Sequence, residues 1–522
     1  MAQIINSNIQ SLNSQRNLSS SQASLSTSLQ RLSSGLRINS AKDDAAGLAI
    51  SERFTSQIRG NQQAARNAND GISLAQTAEG GLTSAGDLLQ RVRELAVQSA
   101  NGSNSVSDRA SIQNEVSALT RELDRVATST QFNGQNVLDG SLTSTQFQVG
   151  ANSNQTIDIG VQSAQAKDIG NNTIKPADTT TSLSQAVAVS AANLDADLGN
   201  FLTEDDTLTL TSGAGLSQKV FLKAPQAGPP AIAGDNARSI ATKINSTTGT
   251  TGVSAEAKTV ATIADIKDGA VNFQLRGANS IANDANSKAV NISAKVVGGD
   301  LSALAQAINA QSAATNVTAT IKLDAAGNKE LQLVDNTGND IQIAPQAGDE
   351  ALLDANVRGH DIGGAPSTAT VALSGTAGNA AVIGGRVEFS SDAGFSISSS
   401  IAAGSAVTGD VTVGSELQSV DKIDVSTIEG ANAALKTIDS ALNAINKNRA
   451  DLGAIQNRFA STIANLNTTT ENLSSSRSRI QDTDFAQETA DLTRGQILQQ
   501  AGTAMLAQAN SLPNGVLSLL RG

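Results

Sequence analysis

Seven large apolar residues recur at every seventh position in the C-terminal part of this 522-residue chain. They are Ile438, Ile445, Leu452, Phe459, Leu466, Leu473 and Ile480. A seven-residue apolar repeat is typical of a helix that packs lengthwise against other helices, as in a coiled coil. Continued from Leu435 to Ile480, this helix would be roughly 70 Å long, because each residue adds about 1.5 Å. A rod of that length needs a partner along its whole side.

The N-terminal part of the chain offers partner helices, because residues 1–175 contain no proline. A first apolar stripe follows helical spacing and comprises Ile5, Ile9, Leu12, Leu25, Leu29, Leu32 and Leu36. A second, seven-residue series contains small residues that permit close helix approach: Ala68, Ala75, Leu82, Leu89 and Ala96. A third helix is predicted to begin with Ser107 or Asp108 as its N-cap residue. Asp484, with Gln487 three residues later, predicts the cap of a last helix through Leu512.

Between these helical parts the apolar pattern changes to a period of two, which is typical of β-strands. Residues 131–159, which glycines punctuate, predict a β-hairpin after the third helix. Further on, residues 207–210, 321–323, 331–333 and 341–343 alternate apolar and polar side chains. Turn residues at 327–328 and 337–339 separate the last three runs, which predicts an antiparallel meander.

The middle of the chain also contains an internal repeat at an offset of 64 residues. Ile244-Asn245 matches Ile308-Asn309, and residues 253–255 match residues 317–319. Each copy reads as a short helix that leads into a strand. The sequence therefore predicts one or two small α+β modules inserted into a helical bundle.

These patterns predict an α+β multidomain protein in which a long-helix, coiled-coil bundle is formed by both chain ends. The expected domains are terminal helices in residues 1–40 and 485–522, a bundle with a β-hairpin in 41–176 and 421–484, and an exposed insert in 177–420. The net charge of −12 resides mainly in the middle, where residues 176–420 contain 24 acidic and 13 basic residues. The near-neutral ends can pack against further copies of themselves without strong repulsion.

The composition excludes several classes of function. The chain has no cysteine, which rules out disulfides and thiolate chemistry. No basic face favours nucleic acid, no run approaches the ~20 apolar residues of a membrane span, and residues 1–9 lack the pattern of a signal peptide.

The sequence signals for catalytic residues are also weak, so we expect neither enzyme activity nor a bound cofactor or metal. His360 is the only histidine, so the H-E-x-x-H zinc motif is impossible, and its neighbour Asp361 suggests plain surface in a glycine-rich loop. The run Glu204 to Asp206 lacks the spacing of a calcium loop and predicts solvated surface.

Several long motifs resemble bacterial flagellins. Residues 32–50 read LSSGLRINSAKDDAAGLAI and 90–98 read QRVRELAVQ; at the other end, 507–510 read AQAN and 516–520 read VLSLL. The resemblance covers residues 1–161 and 426–522, and residues 147–152 fit the same family.

The resemblance implies a secreted, extracellular subunit of the flagellar filament, used for swimming motility. It also implies a tube of terminal helices, a type III-like export route, and contacts with an export chaperone, a filament cap and hook-filament junction proteins. A further implied partner is a host Toll-like receptor, which would contact Arg91, Leu95 and Glu115. The simpler interpretation of these three residues is a salt-bridged helix surface with Leu95 packed inward.

Two alternatives stay open on the sequence alone. A hook-filament junction protein shares the terminal helices but forms a ring of few copies, whereas the intact 32–50 motif favours the repeating subunit. An adhesin or sheath-forming module would use the middle of the chain to bind a surface, a glycan or its own neighbours.

Overall fold

The computed structural model describes residues 7–175, 182–189, 202–225, 234–280, 283, 286–324, 327–361, 364–373, 380–401 and 405–520, without the side chains of 368 and 512–520. The chain forms two compact units. Unit 1 comprises the described residues within Met1–Gly80, Gln131–Gln162 and Arg449–Gly522, and unit 2 comprises those within Gly81–Thr130 and Ser163–Asn448. Each unit therefore contains residues from distant parts of the sequence.

Long helices lie at both ends of the chain, and short ones lie in the middle. They are α1 (Ile9–Ser34), α2 (Ala45–Ala100), α3 (Val106–Ser129), α4 (Ala237–Asn245), α5 (Thr248–Thr251), α6 (Ser302–Asn309), α7 (Ser312–Thr315), α8 (Ile428–Gln481) and α9 (Phe485–Leu520). The continuous helix predicted for residues 435–480 is confirmed, because α8 is a single helix of 54 residues. All five members of the alanine and leucine series on α2 are fully buried, as their spacing predicted.

The helix ends follow from capping chemistry. Helix α1 ends where Gly35 adopts a positive φ of 71°, and its N–H donates to the carbonyl of Arg31. Leu36 therefore lies beyond the helix and forms a β-bridge with Asp482, so its predicted place in the α1 stripe was wrong. The predicted start of α3 was also late, since Ser105 is the N-cap and forms a capping box with Asp108. The predicted cap of α9 is confirmed, because Asp484 Oδ1 accepts from two backbone N–H groups at 3.0 and 3.2 Å.

The strands are β1 (Gln131–Phe132), β2 (Gln135–Asn136), β3 (Thr145–Gln148), β4 (Thr156–Ile159), β5 (Gly170–Ile174), β6 (Ala186–Val189), β7 (Asp206–Ser212), β8 (Ser217–Leu222), β9 (Ser254–Ala264), β10 (Gly269–Arg276), β11 (Val290–Val296), β12 (Thr318–Leu323), β13 (Lys329–Asp335), β14 (Ile341–Pro345), β15 (Asn356–His360), β16 (Pro366–Ala372), β17 (Ala380–Ile383), β18 (Arg386–Ser391), β19 (Phe395–Ser398), β20 (Thr412–Gly414) and β21 (Glu416–Ser419). The predicted hairpin of residues 131–159 is two hairpins in unit 1, β1 with β2 and β3 with β4.

The described strands of the middle region form three larger sheets. Their orders are β11-β10-β14-β17-β6, then β12-β13-β9-β18-β5-β21 with β15 and β16 attached at β9, and β20-β19-β7-β8. The predicted meander was wrong, because β13 pairs with β9 whereas β14 pairs with β10 and β17 in another sheet. The turn between β13 and β14 thus carries the chain from one sheet to the next.

The internal repeat is confirmed as two equivalent substructures. In the first, the Asn245 side chain donates to the carbonyl of Ala255 at 2.9 Å and accepts from its N–H at 2.8 Å. In the second, Asn309 makes the same two bonds with Ala319, at 2.9 and 2.7 Å. Each asparagine satisfies both backbone groups of a strand residue and so joins a helix to the start of its strand. The first helix, α4, packs into one apolar core, and α6 packs into another.

Candidate functional site

The paired terminal helices of unit 1 are the first element of the site. Helices α1 and α9 run antiparallel, with Leu25 packed over Gly495 and Leu18 packed over Gly502. A Cβ atom placed on Gly502 would lie 3.2 Å from Leu18 Cδ1, so even an alanine there would require the Leu18 side chain to shift by a few tenths of an ångström. The pairing therefore depends on two leucines and two glycines, each pair spaced by seven residues.

Polar contacts complete this pairing toward both ends of α1. Asn8 Nδ2 donates to the carbonyl of Ala509 at 2.8 Å, and Ser11 Oγ donates to Asn510 Oδ1 at 2.7 Å. At the other end, Arg31 lies 3.7 Å from the carboxylate of Glu488. The described contacts between α1 and α9 thus combine two leucine–glycine contacts with polar groups.

Other large apolar side chains of the same two helices remain exposed outside these contacts. Among the side chains of α1 and α9 that the structure describes, seven are between 50% and 63% exposed: Ile9, Leu12, Leu29, Phe485, Ile497, Leu498 and Met505. Soluble monomers rarely leave such a set of large side chains in water, so an exposed group of this size indicates an interaction surface.

The four predicted seam residues of the N-terminal part are not equivalent. Leu25 and Leu32 are half-buried on α1, Leu36 is half-buried beyond it, and Leu29 is 51% exposed. Ile5, which begins the predicted stripe, lies outside the described residues. Leu18, Gly495 and Gly502 were missed, although the seven-residue spacing of the two glycines is visible in the sequence.

The heptad series of α8 is buried in its first part and partly exposed in its last. Ile438 and Ile445 are fully buried in unit 2, and Leu452 and Phe459 are fully buried in unit 1. The remaining three members, Leu466, Leu473 and Ile480, are half-buried. The same helical face is therefore buried from Ile438 to Phe459 and is partly exposed to solvent from Leu466 to Ile480.

Phe459 is the best-packed member of this series. Its ring lies edge-on to Phe147 of β3, with 5.9 Å between ring centroids and an interplanar angle of 87°. A Cβ atom placed on Gly71 of α2 would lie 2.7 Å from Phe459 Cζ, closer than packed atoms approach. Gly71 therefore makes room for the ring, and the ring joins α8, α2 and the hairpin within unit 1.

Arg91 and Glu115, two residues of the implied receptor contact, form an exposed ion pair in unit 2. Arg91 lies 2.9 Å from Glu94 on its own helix and 2.9 Å from Glu115 on α3. Hydrogen bonds to Glu94 and Glu115 raise the pKa of Arg91. Leu95 is buried, so in this conformation only the two charged side chains are offered at the surface.

The surface positions predicted for His360 and Asp206 were wrong, whereas Glu204 and Asp205 are exposed as predicted. His360 is a buried strand residue rather than plain loop surface: its ring lies 2.5 Å from Thr262 Oγ1 and 3.0 Å from the Gly364 carbonyl. Burial lowers the pKa of His360. Asp206 is also buried and accepts from Ser399 Oγ at 2.8 Å and from the Ser400 N–H and Oγ at 3.0 Å. These contacts account for both residues as structural groups.

Neither a metal-binding cluster nor a membrane-spanning helix occurs in the described part of the chain. No group of three or more histidine, aspartate or glutamate side chains is arranged there to hold a metal ion. None of the helices described is both long enough and apolar enough to cross a membrane.

Comparison with known proteins places both helical ends of the chain in one family. Residues 5–143 match the bacterial flagellin N-terminal helical region, and residues 435–520 match the bacterial flagellin C-terminal helical region. The chain is 42% identical over its whole length to the complete B-type flagellin of Pseudomonas aeruginosa PAO1. It is 40% identical, again with full coverage of both chains, to the flagellin of Escherichia coli K12.

A solved structure of FliC from Burkholderia pseudomallei aligns with 74% of this chain and 99% of its own, at 23% identity and a TM-score of 0.29. Full-length identities of 40% and 42% to two flagellins, together with matches at both helical ends, establish the family. The chain is a member of the bacterial flagellin family, the structural proteins of the flagellar filament.

Proposed function

We propose that this flagellin polymerises through the outward apolar faces of α1 and α9, which become buried between copies in the filament. The proposal rests on one observation, that the two helices pair through two leucine–glycine contacts and polar groups and leave seven of their described large apolar side chains about half exposed. Self-association is the simplest way to remove these side chains from water, because the filament is a polymer of one subunit.

The free energy available from this burial is large. Full burial of a leucine, isoleucine, methionine or phenylalanine side chain is worth about 1.5–3 kcal/mol. Seven side chains that bury their exposed halves would contribute on the order of 5–10 kcal/mol per copy. That contribution matches the stability of a whole domain, so we expect assembly to order α1 and α9 more firmly than their pairing within one copy does.

The proposed roles follow the expected domain boundaries. Residues 1–40 and 485–522 form the inner tube, 41–176 and 421–484 form the surrounding layer, and 177–420 form the outer surface. The acidic excess of the middle favours an outward position, because like charges would repel in a packed interior.

The insert is anchored to the bundle helix by charge within unit 2. Strands β9 and β18 place Glu256 directly beside Glu388, and Lys436 of α8 forms ion pairs with both carboxylates. Burial acts to lower the pKa of Lys436, but Glu388 and Glu256 raise it overall. The lysine therefore offsets a repulsion between two neighbouring strands and holds the sheet against α8.

Export and partner proteins are proposed on the family resemblance. The subunit is secreted by a type III-like route with a chaperone and is added beneath a cap, on a base of hook-filament junction proteins. A host Toll-like receptor is proposed to contact the exposed Arg91 and Glu115 pair, with Leu95 as the packed support beneath it.

Substitution of Leu498 by Asp tests the proposed surface, with Gln496→Glu as the matched control on α9. Both positions are exposed in the single chain, so neither change should alter the circular dichroism of the monomer. Electron microscopy of polymerised protein should show long filaments for the wild type and the control and none for Leu498→Asp. Normal filaments from Leu498→Asp would refute the proposed surface, and short rings or plugs from the wild type would favour a junction protein.

A further inference from the structure

The connections from α1 to α2 and from α8 to α9 lie side by side in unit 1. Leu36, on the first connection, forms an antiparallel β-bridge with Asp482, on the second. Beside this bridge, the Thr483 N–H donates to the carbonyl of Gly35 at 3.0 Å. Backbone pairing therefore holds the end of α1 against the start of α9.

Arg37 extends this pairing with its backbone and its side chain. Its N–H donates to the carbonyl of Gln481 at 2.7 Å, and its guanidinium donates to the carbonyl of Ile480 through Nη2 at 2.6 Å and Nε at 3.2 Å. These carbonyls belong to the last turn of α8, where the helix itself supplies no donors and the helix dipole is negative. Arg37 thus fastens the first connection to the end of α8. We call the paired residues 35–37 and 480–483 the joint.

Beyond the joint, α1 and α9 keep one antiparallel register. Leu25 packs over Gly495. Leu18, seven residues earlier on α1, packs over Gly502, seven residues later on α9. The joint lies at the end of this series that is nearest to Leu25, so the β-bridge and the helix pair share a single register.

The leucine–glycine contacts alone do not fix this register, because Leu32 follows Leu25 at the same seven-residue spacing. A slide of α1 by seven residues, which is about 10 Å along the helix axis, would place Leu25 over Gly502 and Leu32 over Gly495. Both contacts would then be kept. The connection from α1 to α2 is long enough for such a slide, because its ten residues span up to about 33 Å when extended.

We propose that the joint selects the register of α1 and α9, with Arg37 as its positioning residue. While the joint is closed, α1 cannot slide by the ~10 Å of a seven-residue shift, so the leucine–glycine contacts form in one arrangement only. The inference rests on the proposed function, because the register decides how the exposed side chains of α1 and α9 combine into one assembly surface. A shift would move Leu29 by about 10 Å relative to Leu498 and present a different surface to the next copy.

Pairs of engineered cysteines can report the register, because the chain contains no cysteine. Ser11 Oγ lies 2.7 Å from Asn510 Oδ1, so the first pair, Ser11→Cys with Asn510→Cys, reports the observed register. The second pair, Leu18→Cys with Asn510→Cys, reports the shifted register, in which residue 18 takes the place of residue 11. A disulfide requires Cα atoms within about 7 Å, so neither pair forms one in the other register.

Each pair is placed in the chain with an intact joint, in a joint variant and in a control. The joint variant carries Arg37→Ala and Thr483→Pro, which remove the guanidinium contact and the N–H that donates to Gly35. The control carries Lys42→Ala, because Lys42 is exposed on the same connection but lies outside the joint. Filaments are oxidised with copper phenanthroline and separated on denaturing, non-reducing gels, where a disulfide within one copy changes the mobility of the monomer band. A variant that forms no filaments is oxidised as the soluble chain.

We expect the joint variant to lower the disulfide yield of the first pair and to raise that of the second pair, each by about fivefold or more. The control should leave both yields unchanged. Unchanged yields in the joint variant would overturn the proposal, because the register would then persist without the joint. Loss of both disulfides, or a high yield from the second pair with the joint intact, would also overturn it. Failure of the wild-type chain to form filaments would instead count against the proposed function.

Discussion

Replacement of Gly71 by alanine is expected to destabilise unit 1, although alanine is the better helix former. In an exposed helix interior, a change from glycine to alanine stabilises by about 1 kcal/mol. At Gly71 the new methyl group would lie 2.7, 3.0 and 3.1 Å from three ring carbons of Phe459. The ring has little room to move, because it is fully buried and lies against Phe147.

Overpacking of this kind costs about 1–3 kcal/mol in a well-packed core. Less the gain in helix propensity of about 1 kcal/mol, this cost leaves a net loss, so we expect Gly71→Ala to lower the free energy of unfolding by up to about 2 kcal/mol. Gly80, on the same helix, is the matched control, since a Cβ atom placed there meets nothing within 4 Å. Gly80→Ala should therefore stabilise the monomer by up to about 1 kcal/mol.

Urea unfolding of the monomer, followed by far-ultraviolet circular dichroism, measures both changes. A double variant gives a further check, because Phe459→Leu shortens the side chain that meets the new methyl group. We expect Gly71→Ala combined with Phe459→Leu to be more stable than the sum of the single changes by about 1 kcal/mol. Equal stabilisation by Gly71→Ala and Gly80→Ala would show that Phe459 does not pack against the glycine, and the reasoning would fail.

Three further predictions concern the core, the insert and pH. Phe459→Asp should abolish filaments in electron micrographs, because an unpaired buried charge costs at least several kcal/mol, whereas Asn457→Asp on the exposed side should leave them intact. Deletion of residues 177–410 should still give filaments, because β5 and β21 flank the deletion and pair with each other; an exported, soluble but non-assembling protein would contradict this. Burial raises the pKa of Asp340 to about 7. The native state thus retains a proton that the unfolded state loses near pH 4, so thermal stability of the insert should fall as the pH rises from about 4 to 7. Asp340→Asn should remove that fall, and an unchanged pH dependence would argue against it.

The long helices and the internal repeat were predictable because their signals are local. A seven-residue spacing fixes which side chains share a helical face, whatever the rest of the chain does. This is why Leu452 and Phe459 could be placed in a core from their spacing alone. The two asparagines at 245 and 309 were likewise recognisable as equivalent, although their hydrogen bonds to the following strands were not.

Other features depend on partners that are distant in sequence. Strands β13 and β14 alternate alike and are joined by a short turn, yet each finds its neighbours in a different sheet. His360 and Asp206 look like surface residues because their immediate neighbours are polar or glycine, but Thr262 and Ser399 cover them in the fold. Contacts between residues so far apart in the chain cannot be predicted from the local sequence.

The sequence by itself determined that both ends of the chain are helical, that the middle is β-rich and acidic, and that the family is flagellin. Only the tertiary structure decided which apolar side chains are core and which are left for assembly. Leu25 and Leu29 belong to the same apolar stripe of α1. Leu25 packs over Gly495 of α9, whereas no described residue buries Leu29. Periodicity defines a face of a helix, whereas the size of the residue across from it decides how much of that face one partner can cover.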